Sequence, residues 1–105
     1  MSELFSCIIF NNGYDGPSRA HVHGIYSKSS EPFKFICNNI IFNSFSYNFH
    51  AYGESETAKM NGYVLDGNIV FNAGAASKNY GTTTNVLIGM QEKFRLKLFL
   101  SEFLC

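Results

Sequence analysis

The sequence predicts an all-β fold, a single-domain antiparallel β-sandwich or small barrel of seven to eight strands spanning residues 1–105, with room for a short helical turn after Ser101. Three observations predict it. Tyr63-Val64-Leu65 and Asn68-Ile69-Val70-Phe71 are β-forming runs hinged on Asp66-Gly67, and Asp-Gly between such runs is a strong signal for a type I′ hairpin, which needs φ > 0 at both central residues. Side chains alternate between apolar and polar with period two in several other stretches, as half-buried strands require. Eleven Phe and six Tyr with no Trp supply the flat, bulky filler suited to pleated surfaces.

Taken in order, Leu4 to Phe10 reads as a first strand with apolar residues on both faces, hence a sandwiched one. Asn11 to Ser18 is dense in Asn, Gly, Asp and Pro and reads as loop. Ala20 to Tyr26 is a second strand that puts His21 and His23 on one side, and Phe33 to Ile36 is a short third. Ile40 to Tyr52 keeps period two over its whole length and reads as one long strand. Its Ile41, Asn43, Phe45, Tyr47, Phe49 and Ala51 form the face expected in the core, and its Ile40, Phe42, Ser44, Ser46, Asn48, His50 and Tyr52 form the face expected in solvent. The Asp-Gly hairpin follows, and then a small-residue segment from Ala73 to Thr84. Asn85 to Met90 and Phe94 to Ser101 close the chain as a last hairpin around Gln91-Glu92. No internal repeat is evident along this path.

At 105 residues the chain suits one domain with a single core. Eight basic and eight acidic residues cancel, which argues against nucleic acid, whose binders show a basic excess. No run is long and apolar enough to span a bilayer. The N-terminus lacks the basic start and apolar core of a signal peptide, and the three cysteines, Cys7, Cys37 and Cys105, follow no disulfide framework. A reducing, cytoplasmic location is the expectation, with free thiols acting as small hydrophobes.

His21-Val22-His23 carries the clearest chemistry, because residues i and i+2 of a strand share a face and two imidazoles there can converge on one metal ion. His50 is the leading third ligand, with Glu31, Asp15 and Cys37 as further candidates. The pair is similar to the His-x-His strand of cupin barrels. The Glu that follows it closely in those families and their second His-bearing motif are both missing, so no family is assigned. Glu54 and Glu56 share a charged loop and form no acid–base pair. No nucleophile motif or phosphate-binding glycine pattern is present.

Binding is therefore favoured over catalysis, with no cofactor required and a divalent metal as the one candidate. Tyr14, Tyr26, Tyr47, Tyr52 and Tyr80 can stack on sugars or partner side chains, and the loop residues Tyr14 and Tyr80 lead that group. The expected function is non-catalytic protein–protein contact, as a homo-oligomer or with a protein partner. A metal- or small-ligand-binding barrel using His21, His23 and His50, or a glycan-binding module, is the alternative.

Overall fold

In a computed structural model, the structure describes residues 2–16, 22–28, 33–53, 62–79, 81, 83–90, 98–100 and 103–104. The elements are β1 (Ser2–Phe5), β2 (Ile8–Phe10), β3 (Ile25–Ser27), β4 (Lys34–Cys37), β5 (Ile40–Phe42), β6 (Phe49–Gly53), β7 (Tyr63–Asp66), β8 (Asn68–Phe71), β9 (Val86–Met90), β10 (Leu98–Leu100) and β11 (Phe103–Leu104). Every pairing between them is parallel. Three sheets result, in the orders β1-β4-β7-β10, β2-β5-β8-β11 and β3-β6-β9. Each circuit of the chain lays one strand in each sheet, and the next circuit stacks on it. The architecture is a parallel β-helix, whose coils touch only their neighbours as in other solenoids.

This corrects the antiparallel sandwich or barrel of seven to eight strands. Alternation along a strand says which side chains point inward, and it is the same for either direction of the neighbouring strand. The Asp66-Gly67 hairpin is the clearest case. Gly67 has φ +62, whereas Asp66 lies in β7 and is not among the positive-φ residues. One left-handed residue bends the chain around a corner; a type I′ reversal needs two. So β7 and β8 enter different sheets instead of pairing.

The same corner recurs on each coil. Ser6 (φ 54), Asn38 (φ 56) and Gly67 occupy it between the first two sheets. Asn11 (φ 54), Asn43 (φ 54) and Asn72 (φ 55) occupy the next, directly after β2, β5 and β8. Asn tolerates the left-handed region better than most residues. The chain thus does contain a repeat: Cys7-Ile8-Ile9-Phe10-Asn11, Asn39-Ile40-Ile41-Phe42-Asn43 and Asn68-Ile69-Val70-Phe71-Asn72 stand in register.

The proposed long strand, Ile40 to Tyr52, is broken at that corner into β5 and β6. Ser44, Ser46 and Asn48, expected in solvent, are buried, and Phe45 and Tyr47, expected in the core, are only half-buried, so past the left-handed Asn43, from Ser44 to Asn48, the two faces are the reverse of those expected. The last hairpin is likewise replaced: β9 lies in the third sheet and β10 in the first, while its turn at Gln91-Glu92 lies outside the described residues. In place of a helical turn after Ser101, Phe103–Leu104 pairs with β8. Among the described residues no helix is long and apolar enough to cross a membrane.

The core is a column inside the coils. Leu4, Ile36 and Leu65 line it from the first sheet, Ile9, Ile41 and Val70 from the second, and Ile25, Phe49 and Val86 from the third. Ile36, Ile41, Phe49, Leu65 and Val70 are buried, each such side chain contributing about 1.5–3 kcal/mol over exposure. Two asparagine pairs line the corners of this column. Asn39 Nδ2 donates to Asn68 Oδ1 (3.0 Å) and to the Leu4 carbonyl (3.1 Å). The Asn39 backbone N–H also donates to Asn68 Oδ1, while Asn68 Nδ2 donates to the Ile36 carbonyl (2.7 Å). Around the coil, Asn48 Nδ2 donates to Asn85 Oδ1 (3.0 Å) and to the Phe71 carbonyl (2.6 Å). These amides satisfy carbonyls and N–H groups that the corners withdraw from the strand ladders. Tyr63, fully buried, donates its hydroxyl to Ser27 Oγ (2.8 Å), and burial pushes its ionisation up from the ordinary phenol value.

Candidate functional site

Strand register decides which side chains face out of the third sheet. Ile25, Phe49 and Val86 point inward, so Tyr26, His50 and Leu87 form the outward row. Tyr52 stands two residues beyond His50 on the same face, opposite Gly89. A Cβ at Gly89 would approach the Tyr52 ring to 3.2 Å, so glycine leaves that ring room to lie flat on the sheet. His23 and Tyr47 enter from the segments that lead into β3 and β6.

These five rings form one contiguous cluster with His50 as its hub. His50 meets His23 edge-on at a centroid distance of 4.7 Å, and Tyr26 at 5.0 Å, Tyr47 at 5.2 Å and Tyr52 at 6.2 Å. His23 stacks nearly parallel on Tyr47, 5.4 Å away with an interplanar angle of 17°, and lies 5.5 Å from Tyr26. Lys28 Nζ sits 5.8 Å from the centre of the Tyr26 ring, a cation–π distance. Tyr26 is 51% exposed and His23, Tyr47, His50 and Tyr52 are half-buried, so the cluster forms part of the outer surface.

His50 Nδ1 and His23 Nε2 are 3.2 Å apart. A contact of that length between two ring nitrogens needs one to carry a proton and the other to offer its lone pair. The local sequence explains the approach. Gly24, Asn48 and Asn85 are equivalent corner positions, one residue before Ile25, Phe49 and Val86. A Cβ at Gly24 would come within 2.5 Å of the Asn48 carbonyl oxygen, so glycine there lets the His23 segment lie close against the His50 strand.

Of the proposed metal ligands, the structure brings His23 and His50 together, and His21 lies outside the described residues. Glu31 also lies outside them, and Cys37 ends β4 in the first sheet, away from the histidines. Among the described residues no group of three His, Cys, Asp or Glu side chains converges.

Tyr80 lies outside the described residues, and Tyr14 is 67% exposed in the loop after β2. That loop is fastened by Asp15, whose Oδ1 accepts from Ser77 Oγ (2.7 Å) and from the Lys78 N–H (3.1 Å). These donors hold the Asp15 carboxyl below its ordinary value, the Ser77 hydroxyl most of all. Among the described residues no ring contact joins Tyr14 to the His–Tyr cluster. The residues that do assemble, Tyr26, Tyr47 and Tyr52, occupy strand or pre-strand positions that a hairpin topology scatters over different edges.

A second outward surface is apolar. On the second sheet Ile8, Ile40 and Ile69 form one row and Phe10, Phe42 and Phe71 another. The phenylalanine rings stack almost in parallel, 5.3 Å and 4.9 Å apart. Ile8 is 64% and Phe10 51% exposed. Among the described residues, the interior space between Ile36, Ile41, Phe49, Leu65, Asn68 and Val70 is too small for a water molecule.

No protein-family model, curated protein or solved structure matches this chain.

Proposed function

We propose that the protein is a non-catalytic glycan-binding module that lays an extended polysaccharide along the outer face of the third sheet. The supporting observation is the unbroken cluster of His23, Tyr26, Tyr47, His50 and Tyr52 on that face. Phenol and imidazole rings offer flat apolar faces to the C–H side of a pyranose, and their O–H and N–H groups bond to its hydroxyls. Coils stack about 4.8 Å apart, close to the advance of one sugar ring along an extended chain. A polysaccharide running parallel to the helix axis therefore meets Tyr26 and His23 on the first coil, Tyr47, His50 and Tyr52 on the second, and the aliphatic Leu87 on the third. Titration calorimetry of the whole chain against soluble oligosaccharides tests this. Tyr26→Ala is expected to weaken binding about tenfold, the loss of roughly 1.4 kcal/mol of ring contact. A glycan array and calorimetry that both stay silent defeat the reading.

A second reading, self-association, rests on the Ile8/Ile40/Ile69 and Phe10/Phe42/Phe71 rows. Parallel sheets ordinarily have both faces covered, and a contiguous exposed apolar surface commonly marks a contact site. A second copy of the chain is the proposed cover. Sedimentation velocity checks it: dimer at micromolar concentration in the native chain and monomer in Ile8→Ser/Phe10→Ser support it. A native chain that stays monomeric through the millimolar range excludes it.

A further inference from the structure

We infer that the first coil of the solenoid is a docking edge for a second copy of the chain, the two molecules meeting end to end with β1 of each paired antiparallel to β1 of the other. This contact lies at the end of the coil stack, apart from the outer faces used by the two readings above, and it rests on neither.

The first coil is finished differently from the coils stacked on it. Leu4, Ile9 and Ile25 continue the inner column but are only half-buried, whereas Ile36, Ile41 and Phe49 on the second coil are buried. Outside the column, Phe5, Ile8, Phe10 and Tyr26 are exposed, while their register partners Cys37, Ile40, Phe42 and His50 are half-buried. The backbone is open as well. The N–H groups of Ser2, Ser6, Asn11 and Ile25 donate to carbonyls of the second coil. Backbone direction alternates along a strand, so Glu3, Phe5, Ile8, Phe10 and Tyr26 turn their N–H groups to the other side. Among the described residues no strand pairs there. Exposed edges are ordinarily blunted by charge or proline, yet Glu3 is the one charged side chain in β1, β2 and β3.

The corner amides argue against a partner that simply continues the solenoid. Asn39 accepts from the Cys7 N–H and donates to the Leu4 carbonyl, and Asn68 accepts from the Asn39 N–H and donates to the Ile36 carbonyl. Each amide fastens its own coil to the coil before it. The first coil carries Cys7 at that position and has no amide there to fasten a preceding coil. A partner stacked in parallel would leave its corner groups unpaired. A partner turned about a two-fold axis meets edge with edge and needs no corner amide, because such a contact is self-complementary. Centred on Leu4, it sets Glu3 of each copy opposite Phe5 of the other, so no like charges are opposed. The size suits a second copy. Four coils about 4.8 Å apart account for the shortest dimension of the molecule, 18 Å, so the end face spans the other two, 36 × 28 Å. An ellipse of that size encloses roughly 800 Å², one partner's share of a stable interface.

Sedimentation velocity of the whole chain and two variants, joined to amide exchange in the native chain, tests this. The native chain is expected to be a dimer at micromolar concentration. Glu3→Pro/Phe5→Pro removes two outward N–H groups and no bond to β4, so it is expected to be a folded monomer. Ile69→Ser/Phe71→Ser alters the outer face of the second sheet two coils on, and is expected to remain a dimer. Exchange needs no variant and decides the matter should the proline chain fail to fold, judged by its thermal melt. The Glu3 and Phe5 amides are expected to slow about tenfold once roughly nine-tenths of the chain is dimer, since protection follows the paired fraction. A native chain that stays monomeric through the millimolar range overturns the inference, as does a dimer in which Glu3 and Phe5 exchange at the monomer's rate. A dimer that survives in the folded proline variant overturns it too. Loss of the dimer in Ile69→Ser/Phe71→Ser overturns it and assigns the contact to the face of the second sheet.

Discussion

Replacing Asn68 with Ala tests the corner architecture at its most buried polar point. Asn39 is 0% and Asn68 2% exposed. The Asn68 side chain makes three hydrogen bonds, accepting from the Asn39 backbone N–H (3.0 Å) and from Asn39 Nδ2 (3.0 Å) and donating to the Ile36 carbonyl (2.7 Å). At a net value of about 1 kcal/mol each, the three contribute roughly 3 kcal/mol. Asn39 Nδ2 keeps its bond to the Leu4 carbonyl, but the Asn39 N–H and the Ile36 carbonyl lose a partner inside the column. Leaving those two buried groups unpaired raises the expected cost to about 3–5 kcal/mol. For a domain of this size that is a drop of roughly 15 °C or more in melting temperature. Asn12→Ala is the control, the same substitution in an exposed loop, where the change should stay within about 0.5 kcal/mol. Both variants are measured by differential scanning calorimetry. An Asn68→Ala melting temperature within a degree or two of the native value refutes the buried ladder. A hairpin would give that result, since Asn68 would then sit beside an exposed turn.

Two further perturbations probe neighbouring features. Asn43 holds φ 54 at the second corner, so Asn43→Val should cost about 1–2 kcal/mol in a urea melt while Asn43→Gly stays near neutral or gains slightly. Asp15 has its carboxyl held below the ordinary 3.8 by Ser77 and Lys78. Its tie between the two loops is therefore complete above that value and fades as pH falls through the lowered one. The Lys78 amide resonance should follow this titration with a midpoint below 3.8, and Asp15→Asn should abolish it.

Local geometry was legible in the sequence, and long-range order was not. Phe33 to Ile36 matches β4 to within a residue, but Leu4 to Phe10, expected as one sandwiched strand, is split at the left-handed Ser6 into β1 and β2 of two different sheets, and of Ala20 to Tyr26 only Ile25 and Tyr26 are strand among the described residues. Strand direction left no comparable mark, because a β-helix strand with one face in and one face out has the same pattern as a sandwich strand. The decisive signal was the recurrence of Ile-Ile/Val-Phe-Asn. It was hidden by unequal coils, since Cys7 and Asn39 are 32 residues apart but Asn39 and Asn68 only 29. Read as a repeat, it identifies a solenoid. Buried Ser44, Ser46 and Asn48 misled for a related reason. Polar residues signal solvent in a sandwich, whereas a solenoid uses amides inside its corners.

The candidate site followed the same division. His23 and His50 were singled out for their chemistry, and their meeting at 3.2 Å depends on stacking β3 against β6. The tyrosines were ranked by loop position, which favoured Tyr14 and Tyr80. Stacked coils instead gather ring-bearing residues from equivalent positions on successive turns, as Tyr26 and His50 are.

Proton–proton contacts in a nuclear Overhauser spectrum of the labelled chain test the parallel architecture most directly. The account predicts contacts from the β5 backbone to both β2 and β8, in the register Ile9↔Ile41↔Val70, together with contacts linking the rings of Phe10, Phe42 and Phe71. A short contact between the α-protons of Val64 and Ile69, which only an antiparallel ribbon folded at Asp66-Gly67 produces, would contradict it.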